Sequence, residues 1–329
     1  MDSSAFLLLT ASLLSTAAPA PGAAATAGEV RFAGDDPADD VPEQFRLAAH
    51  TFRFEQRLTH HLAHSGITVY AVTFPSPVET RSAQNNTVHA EFFAPVGGTS
   101  RPAAIVLDIL DGKGVVSRGE AVWLAANGVP ALVVTLPYYG PRRPPGTPLR
   151  LLSPDVSASV ANVRQAVLDC RRAVAWLAAR PEVDPNRIGV VGTSLGSFIG
   201  GLVAAAEPRV SAACLLLGGG GLVDAFYDHP KAGPVLAALR LIGIGKDELK
   251  AAIAQADPLT YADRLKAKSL LLIAASRDDV VPPIAMRRLW EATGKPKIIW
   301  YDATHVGAAA YAFPAMTAVV AHLSGVNHR

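Results

Sequence analysis

The chain has 329 residues, half of them hydrophobic and 18% charged, with a formal charge of +2. This composition excludes a disordered chain, and the lack of any long Lys/Arg run excludes a nucleic-acid footprint. The length allows one large domain or two small ones. The two cysteines, Cys170 in a predicted helix and Cys214 in a predicted strand, read as buried thiols, with a disulfide between them as the other reading. No Cys/His spacing of the zinc-site kind occurs.

In chain order, residues 6–14 form an apolar stretch of signal-peptide length, too short to span a bilayer. Small-residue sites follow at Ala18-Pro19-Ala20 and Ala25-Thr26-Ala27. Residues 1–27 are therefore expected to be a secretion signal, although Asp2 and the lack of Lys or Arg depart from the usual basic start. A disordered tail or a misassigned start is the alternative. The mature protein is expected to be secreted or periplasmic and soluble, or otherwise cytoplasmic. Residues 28–40 read as a polar linker, and 42–64 as a helix with Asp40 as N-cap and Gly66 as its stop. Within it His60, His61 and His64 suggest a metal face, but no Glu or Cys completes a ligand set, and a solvated polar face is the better reading.

Two strands, 67–74 and 87–94, read as an antiparallel hairpin at a sheet edge. From there strands and helices alternate: strand 103–109, helix 116–126, strand 131–136, helix 157–179, strand 188–191, a helix after Ser194, and strand 210–217. An insert over 218–264 follows, with helical pieces at 234–242 and 247–255 that read as a small lid. Strand 269–275, helix 283–292, strand 297–301 and a last helix after His305 complete the chain. Alternation of this kind predicts a mostly parallel sheet with helices on both faces, an α/β class.

The chemistry centres on Gly192-Thr193-Ser194-Leu195-Gly196 between an apolar β-branched strand and an apolar helix. A Gly-x-Ser-x-Gly turn at such a junction lifts one hydroxyl out of the sheet, and the glycines relieve collisions in the sharp reversal. A serine needs a histidine base, and the histidine a carboxylate to fix its tautomer; the order at such an elbow runs serine, acid, histidine. Among the nine histidines only His305, His322 and His328 lie well downstream, and His305 alone sits in a loop after the last strand. Asp278 and Asp279 stand just past the end of strand 269–275, where a parallel sheet gathers its site. Asp224 is a remote second candidate, and Asp302 is too close to His305 in sequence. After strand 131–136, Tyr138 or Tyr139 could line a pocket and Arg142 or Arg143 could meet a substrate carboxylate; stiffening of a long loop, with the arginines tied to carboxylates, is the stronger reading.

With these motifs in order, the chain resembles the α/β-hydrolase superfamily and, within it, the dienelactone hydrolase and acetyl xylan esterase-like group. The resemblance runs from about Ile67 onward and rests on Gly192-x-Ser194-x-Gly196, Asp278-x-x-Val281-Pro282-Pro283 and His305. It implies an α/β-hydrolase fold over 67–329, with Asp278 as the triad acid. The oxyanion donors would be the Leu195 N–H and a second N–H from Ile109 or Leu110. Relatives carry His-Gly or Glu-Ile at that second loop; this chain reads Leu107-Asp108-Ile109-Leu110, with an acidic side chain close to a site that must hold negative charge. The expected activity is that of a serine esterase on small acyl esters, working through an acyl-enzyme with no metal or organic cofactor and no nucleic-acid partner. A prolyl-oligopeptidase-like peptidase and a catalytically silent hydrolase fold used for binding are the alternatives.

Overall fold

The computed structural model describes residues 25–33, 40–62, 65–110, 112–227, 243 and 245–325. Its strands are β1 (Thr26–Phe32), β2 (His50–Leu62), β3 (Ile67–Pro75), β4 (Thr87–Pro95), β5 (Arg101–Leu107), β6 (Ala131–Val134), β7 (Val183–Thr193), β8 (Val210–Leu216), β9 (Ser269–Ala275) and β10 (Lys297–Tyr301). They form one sheet in the order β1-β2-β3-β4-β6-β5-β7-β8-β9-β10. From β6 to β10 every neighbouring pair is parallel, whereas β1 to β4 add an antiparallel wing that joins through β4 and β6.

The described helices are α1 (Val115–Ala126), α2 (Val156–Ala178), α3 (Leu195–Ala206), α4 (Leu222–Phe226), α5 (Lys246–Ile253), α6 (Ala262–Lys266), α7 (Pro283–Ala292) and α8 (Ala312–Ser324). The alternation of the parallel strands sorts the core into two layers. Ile105, Leu107, Val190, Leu215 and Leu272 pack with α2, α3 and α7 on one face. Ala104, Val106, Val191, Cys214 and Leu271 pack with α1 and α8 on the other. Both faces are covered, so these strands are apolar throughout. Cys170 and Cys214 are free, buried and in opposite layers, and burial pushes both thiols up, which leaves them unreactive packing groups.

Three expectations for the N-terminal third are corrected. The stretch 42–64 is not a helix: only Glu43–Phe45 makes a short 3-10 turn, and β2 fills most of the rest. The overlooked signal is the period-two run Thr51-Phe52-Arg53-Phe54-Glu55, in which both phenylalanines are buried and the residues between them exposed. His60 and His61 are therefore adjacent on a strand and point to opposite faces, so the helix-face argument does not apply; His64 lies outside the described residues. Residues 28–32 belong to β1, not to a linker, because Val30 and Phe32 are core residues. The hairpin of β3 and β4 is real, but β1 and β2 cover its outer side, so it is not the sheet edge.

This wing and the hydrolase-like part share one core. Trp176, fully buried near the end of α2, makes T-shaped ring contacts with Phe54 from β2 and Phe92 from β4. Phe54→Ala is expected to lower the stability of the whole domain by about 3–5 kcal/mol in denaturant unfolding, with one cooperative transition. A loss below about 1 kcal/mol, or a separate early transition of the wing, would contradict a shared core.

Candidate active site

Ser194 sits between β7 and α3 with φ 55° and ψ −115°, a backbone conformation that L-residues rarely adopt. The close packing of its neighbours holds it there. A Cβ on Gly192 would come within 2.1 Å of the Gly196 carbonyl oxygen, and one on Gly196 within 2.1 Å of the Leu107 carbonyl oxygen. Glycine is thus required at both positions by contact with backbone, which cannot swing away.

The structure brings Ser194, His305 and Asp278 together from three loops at one end of the parallel strands. His305 Nε2 lies 3.0 Å from Ser194 Oγ, and its Nδ1 lies 2.7 Å from Asp278 Oδ2. With the ring proton on Nδ1, the imidazole donates to Asp278 and accepts from the Ser194 hydroxyl. Asp278 is fixed in turn, since its Oδ1 accepts from the amides of Val280 at 2.9 Å and Val281 at 2.7 Å. Its side chain is buried, and that of His305 nearly so. The other acids are engaged elsewhere: Asp302 pairs with Arg277, Asp224 with Lys250 and Lys246, and Asp279 Oδ1 accepts from the His305 amide at 3.4 Å.

Beside Ser194 opens a cavity of about 520 Å³, lined by Leu110 and Leu195 and by residues of α2, α3, α4 and α5. Leu110 lines it and Ile109 does not, which favours Leu110 as the residue at the mouth. Asp108 does not face the serine as an unpaired charge. Its Oδ2 accepts from the Gly114 amide at 2.7 Å and its Oδ1 from the Ser117 amide at 3.4 Å, so it caps the start of α1, where the helix dipole favours an anion. The insert 218–264 is pinned by Asp257, whose carboxylate accepts from the amides of Gly221, Leu222 and Leu259. Of its two expected helical pieces, 247–255 appears as α5 and the following 3-10 turn, while 234–242 lies outside the described residues.

The pocket roles considered for Tyr138, Tyr139 and Arg142 are corrected, because none of the three lines the cavity. Arg142 is fully buried, paired with Asp169 Oδ2 at 2.7 Å and donating to the carbonyls of Thr135 and Asn85. It staples the loop after β6 from inside, as does the Tyr138 amide bonded to Asn85 Oδ1. Tyr139 does reach the site indirectly: its hydroxyl donates to the Leu110 carbonyl at 2.9 Å, and its ring packs so closely on Gly112 that a Cβ there would sit 2.3 Å from it.

Sequence reasoning also passed over Glu120. It lies buried on α1, directly behind the elbow, where Thr193 donates its hydroxyl to Oε1 at 2.6 Å; Oε2 has no partner among the described residues. Burial pushes its carboxyl up to about 8, opposed by the Thr193 hydrogen bond and assisted by the charge of Asp108. A lone Glu in an amphipathic helix carries no motif that could have marked it.

Comparison with known proteins agrees with this fold. The model of the Prolyl oligopeptidase family matches residues 161–296, a stretch that contains Ser194 and Asp278 and stops short of His305. Two uncharacterized proteins of Mycobacterium tuberculosis, from strains CDC 1551 / Oshkosh and H37Rv, are 31% identical over 195 residues, 55% of this chain and 43% of theirs. The matched region thus spans less than half the length of these relatives. Among solved structures, acetyl xylan esterase 1 from Thermoanaerobacterium sp. (TM-score 0.64) and an acetyl xylan esterase from Paenibacillus sp. R4 (TM-score 0.66) are each 21% identical, over 81% of this chain and 87% of theirs. A puromycin-hydrolyzing peptidase of Mycobacterium tuberculosis has a TM-score of 0.58 at 16% identity, over 84% of this chain and 46% of its own. The protein has the α/β-hydrolase fold.

The Glu120 carboxyl has a measurable consequence. Its folded-state value lies above the ordinary 4.5 of the unfolded chain, so between about pH 4.5 and 8 the folded state holds a proton that the unfolded state has released, and stability falls as pH rises through that window. The loss is of order a few kcal/mol. Glu120→Gln is expected to flatten that part of the stability-pH curve and to be the more stable form at pH 8. A mutant curve parallel to the wild type would show that Glu120 ionises freely in the fold.

Proposed function

We propose that the protein is a serine hydrolase that cleaves carboxylic esters through an acyl-enzyme on Ser194. The observation that carries this reading is the unbroken hydrogen-bonded chain from Ser194 Oγ through His305 to Asp278. As Oγ attacks the ester carbonyl, His305 Nε2 takes its proton, and the adjacent Asp278 carboxylate stabilises the imidazolium and holds the ring in register. The negative charge that grows on the carbonyl oxygen is met by the Leu195 N–H at the start of α3 and by a second N–H from Ile109 or Leu110. Preorganised donors of this kind are each worth about 3–4 kcal/mol of barrier. His305 then returns the proton to the leaving alkoxide, and water, deprotonated by the same nitrogen, releases the acid.

A peptidase reading is favoured by one observation, the match of 161–296 to the Prolyl oligopeptidase family. The two are separated by comparing p-nitrophenyl butyrate with the corresponding p-nitroanilide. The expected outcome is turnover of the ester far above that of the anilide, reduced at least about a thousandfold in Ser194→Ala. Preference for the anilide would establish the peptidase, and ester turnover that survives Ser194→Ala would overturn both.

Tyr139 serves as a positioning residue, since it holds the carbonyl of Leu110 in the loop that carries the second donor. Tyr139→Phe is expected to lower kcat by about fivefold, the worth of one hydrogen bond, with KM and Tm little changed. A fall in Tm with unchanged kcat would assign the hydroxyl a purely structural role.

Secretion is part of the proposal. Cleavage at Ala18-Pro19-Ala20 leaves β1 whole, whereas cleavage after Ala27 would trim its first two residues, so the mature N-terminus is expected before Thr26. Intact mass of protein recovered from medium or periplasm reads this directly.

A further inference from the structure

The cavity beside Ser194 is notable for what its walls can bond. No Lys, Arg, His, Asp or Glu lines it among the described residues. Three hydroxyls besides that of Tyr227 do: Ser153, Ser159 and Ser194. Two of them are already engaged with backbone. Ser159 Oγ donates to the carbonyls of Ser153 and Asp155 and accepts the Ser153 amide, while Ser153 Oγ donates to the Asp155 carbonyl. Tyr227 carries the Lys246 ammonium over its ring. Among the described residues the rest of the wall is hydrocarbon, including Val156, Val160 and Val163 of α2 and Leu249 and Ile253 of α5. The apolar character continues to the rim, where Leu110, Leu152 and Val280 line the cavity and remain 56%, 42% and 38% exposed.

Resting on the esterase reading, we propose that the substrate is an ester with an uncharged hydrocarbon arm of medium length, and that this arm fills the cavity between α2 and α5 while the other side of the ester stays outside. The warrant is one of bonding capacity. A sugar or a charged group drawn into this space would lose water and find almost nothing to replace it, a cost of a few kcal/mol per unmet hydroxyl and more for a charge. A methylene loses nothing and gains the burial of its surface, worth about a fourfold increase in kcat/KM for each one added. An acetyl group would leave most of about 520 Å³ unused, since cavities in the 300–1,000 Å³ range enclose molecules many times larger. The proposed substrate thus departs from the expectation of small acyl esters toward a larger, apolar class.

The test uses the full chain and the p-nitrophenyl series acetate, butyrate and octanoate, with an acetylated xylo-oligosaccharide in parallel. Octanoate is expected to exceed acetate by at least about a hundredfold in kcat/KM. Val160→Asp places a charge on the α2 wall and is expected to reduce the octanoate-to-acetate ratio at least tenfold, Tm being measured alongside. Binding is read separately from catalysis by calorimetry of octanamide on Ser194→Ala, where saturable binding is expected and its loss in Ser194→Ala/Val160→Asp. A flat or acetate-preferring profile, or preference for the acetylated sugar, overturns the substrate class while leaving the hydrolase in place. Failure of every ester overturns the function, and the octanamide titration then decides the cavity by itself: saturable binding upholds a hydrocarbon site, and none removes it.

Discussion

Everything in this site depends on the backbone at Ser194. Its positive φ turns the hydroxyl out of the sheet at the last residue before α3, and the conformation survives because three segments meet there with no room for side chains. Gly192 on β7 touches Gly196 on α3, and Gly196 touches the end of β5 at Leu107. The same contact that forces the turn therefore fixes the distance between the serine and the loop after β5. Ser194 and the loop after β5 are thus held by one packing constraint, and a shift in either strand would be felt by both.

Around that constraint buried polar groups tie the loops to one another. Arg142 and Asp169 anchor the segment after β6 from below, and Asn85 ties it to the turn before β4. Tyr139 carries that rigidity across to Leu110, and Asp108 secures the far side of the same loop on α1. Removing one partner of such a buried pair leaves an uncompensated charge, which costs more than the pair itself contributes. Glu120 stands apart, a carboxyl kept largely neutral behind the elbow by burial. Its neutrality keeps a second negative charge away from a site where an oxyanion would form.

The parallel half of the fold was legible because its strands are buried on both faces and its helices have clear apolar stripes; Ile188 to Val191 and the helix after Ser194 carry the pattern plainly. The relation of Ser194, Asp278 and His305 was legible for a different reason: each lies at a strand end, and the sequence has few alternatives downstream. The N-terminal wing was less legible: a cap and a stop flank 42–64 as they would a helix, while the strict alternation around Phe52 and Phe54 identifies a strand. Arg142 illustrates a deeper limit. An arginine in an active-site loop looks the same in sequence whether it meets a substrate or an aspartate on a distant helix, and only the packing of α2 shows that Asp169 holds it. The cavity walls were illegible for the same reason, since Val160 and Ile253 become neighbours of Ser194 only in three dimensions.

The central claim is that His305 and Asp278 activate Ser194 as a nucleophile. The most direct measurement is labelling of the folded protein with a fluorophosphonate, followed by peptide mapping of the adduct. The account predicts a single adduct on Ser194, formed about 10⁴-fold more slowly when Asp278→Asn leaves the imidazole in the wrong tautomer. No adduct on the folded protein, or an adduct on another residue that persists in Ser194→Ala, would contradict it.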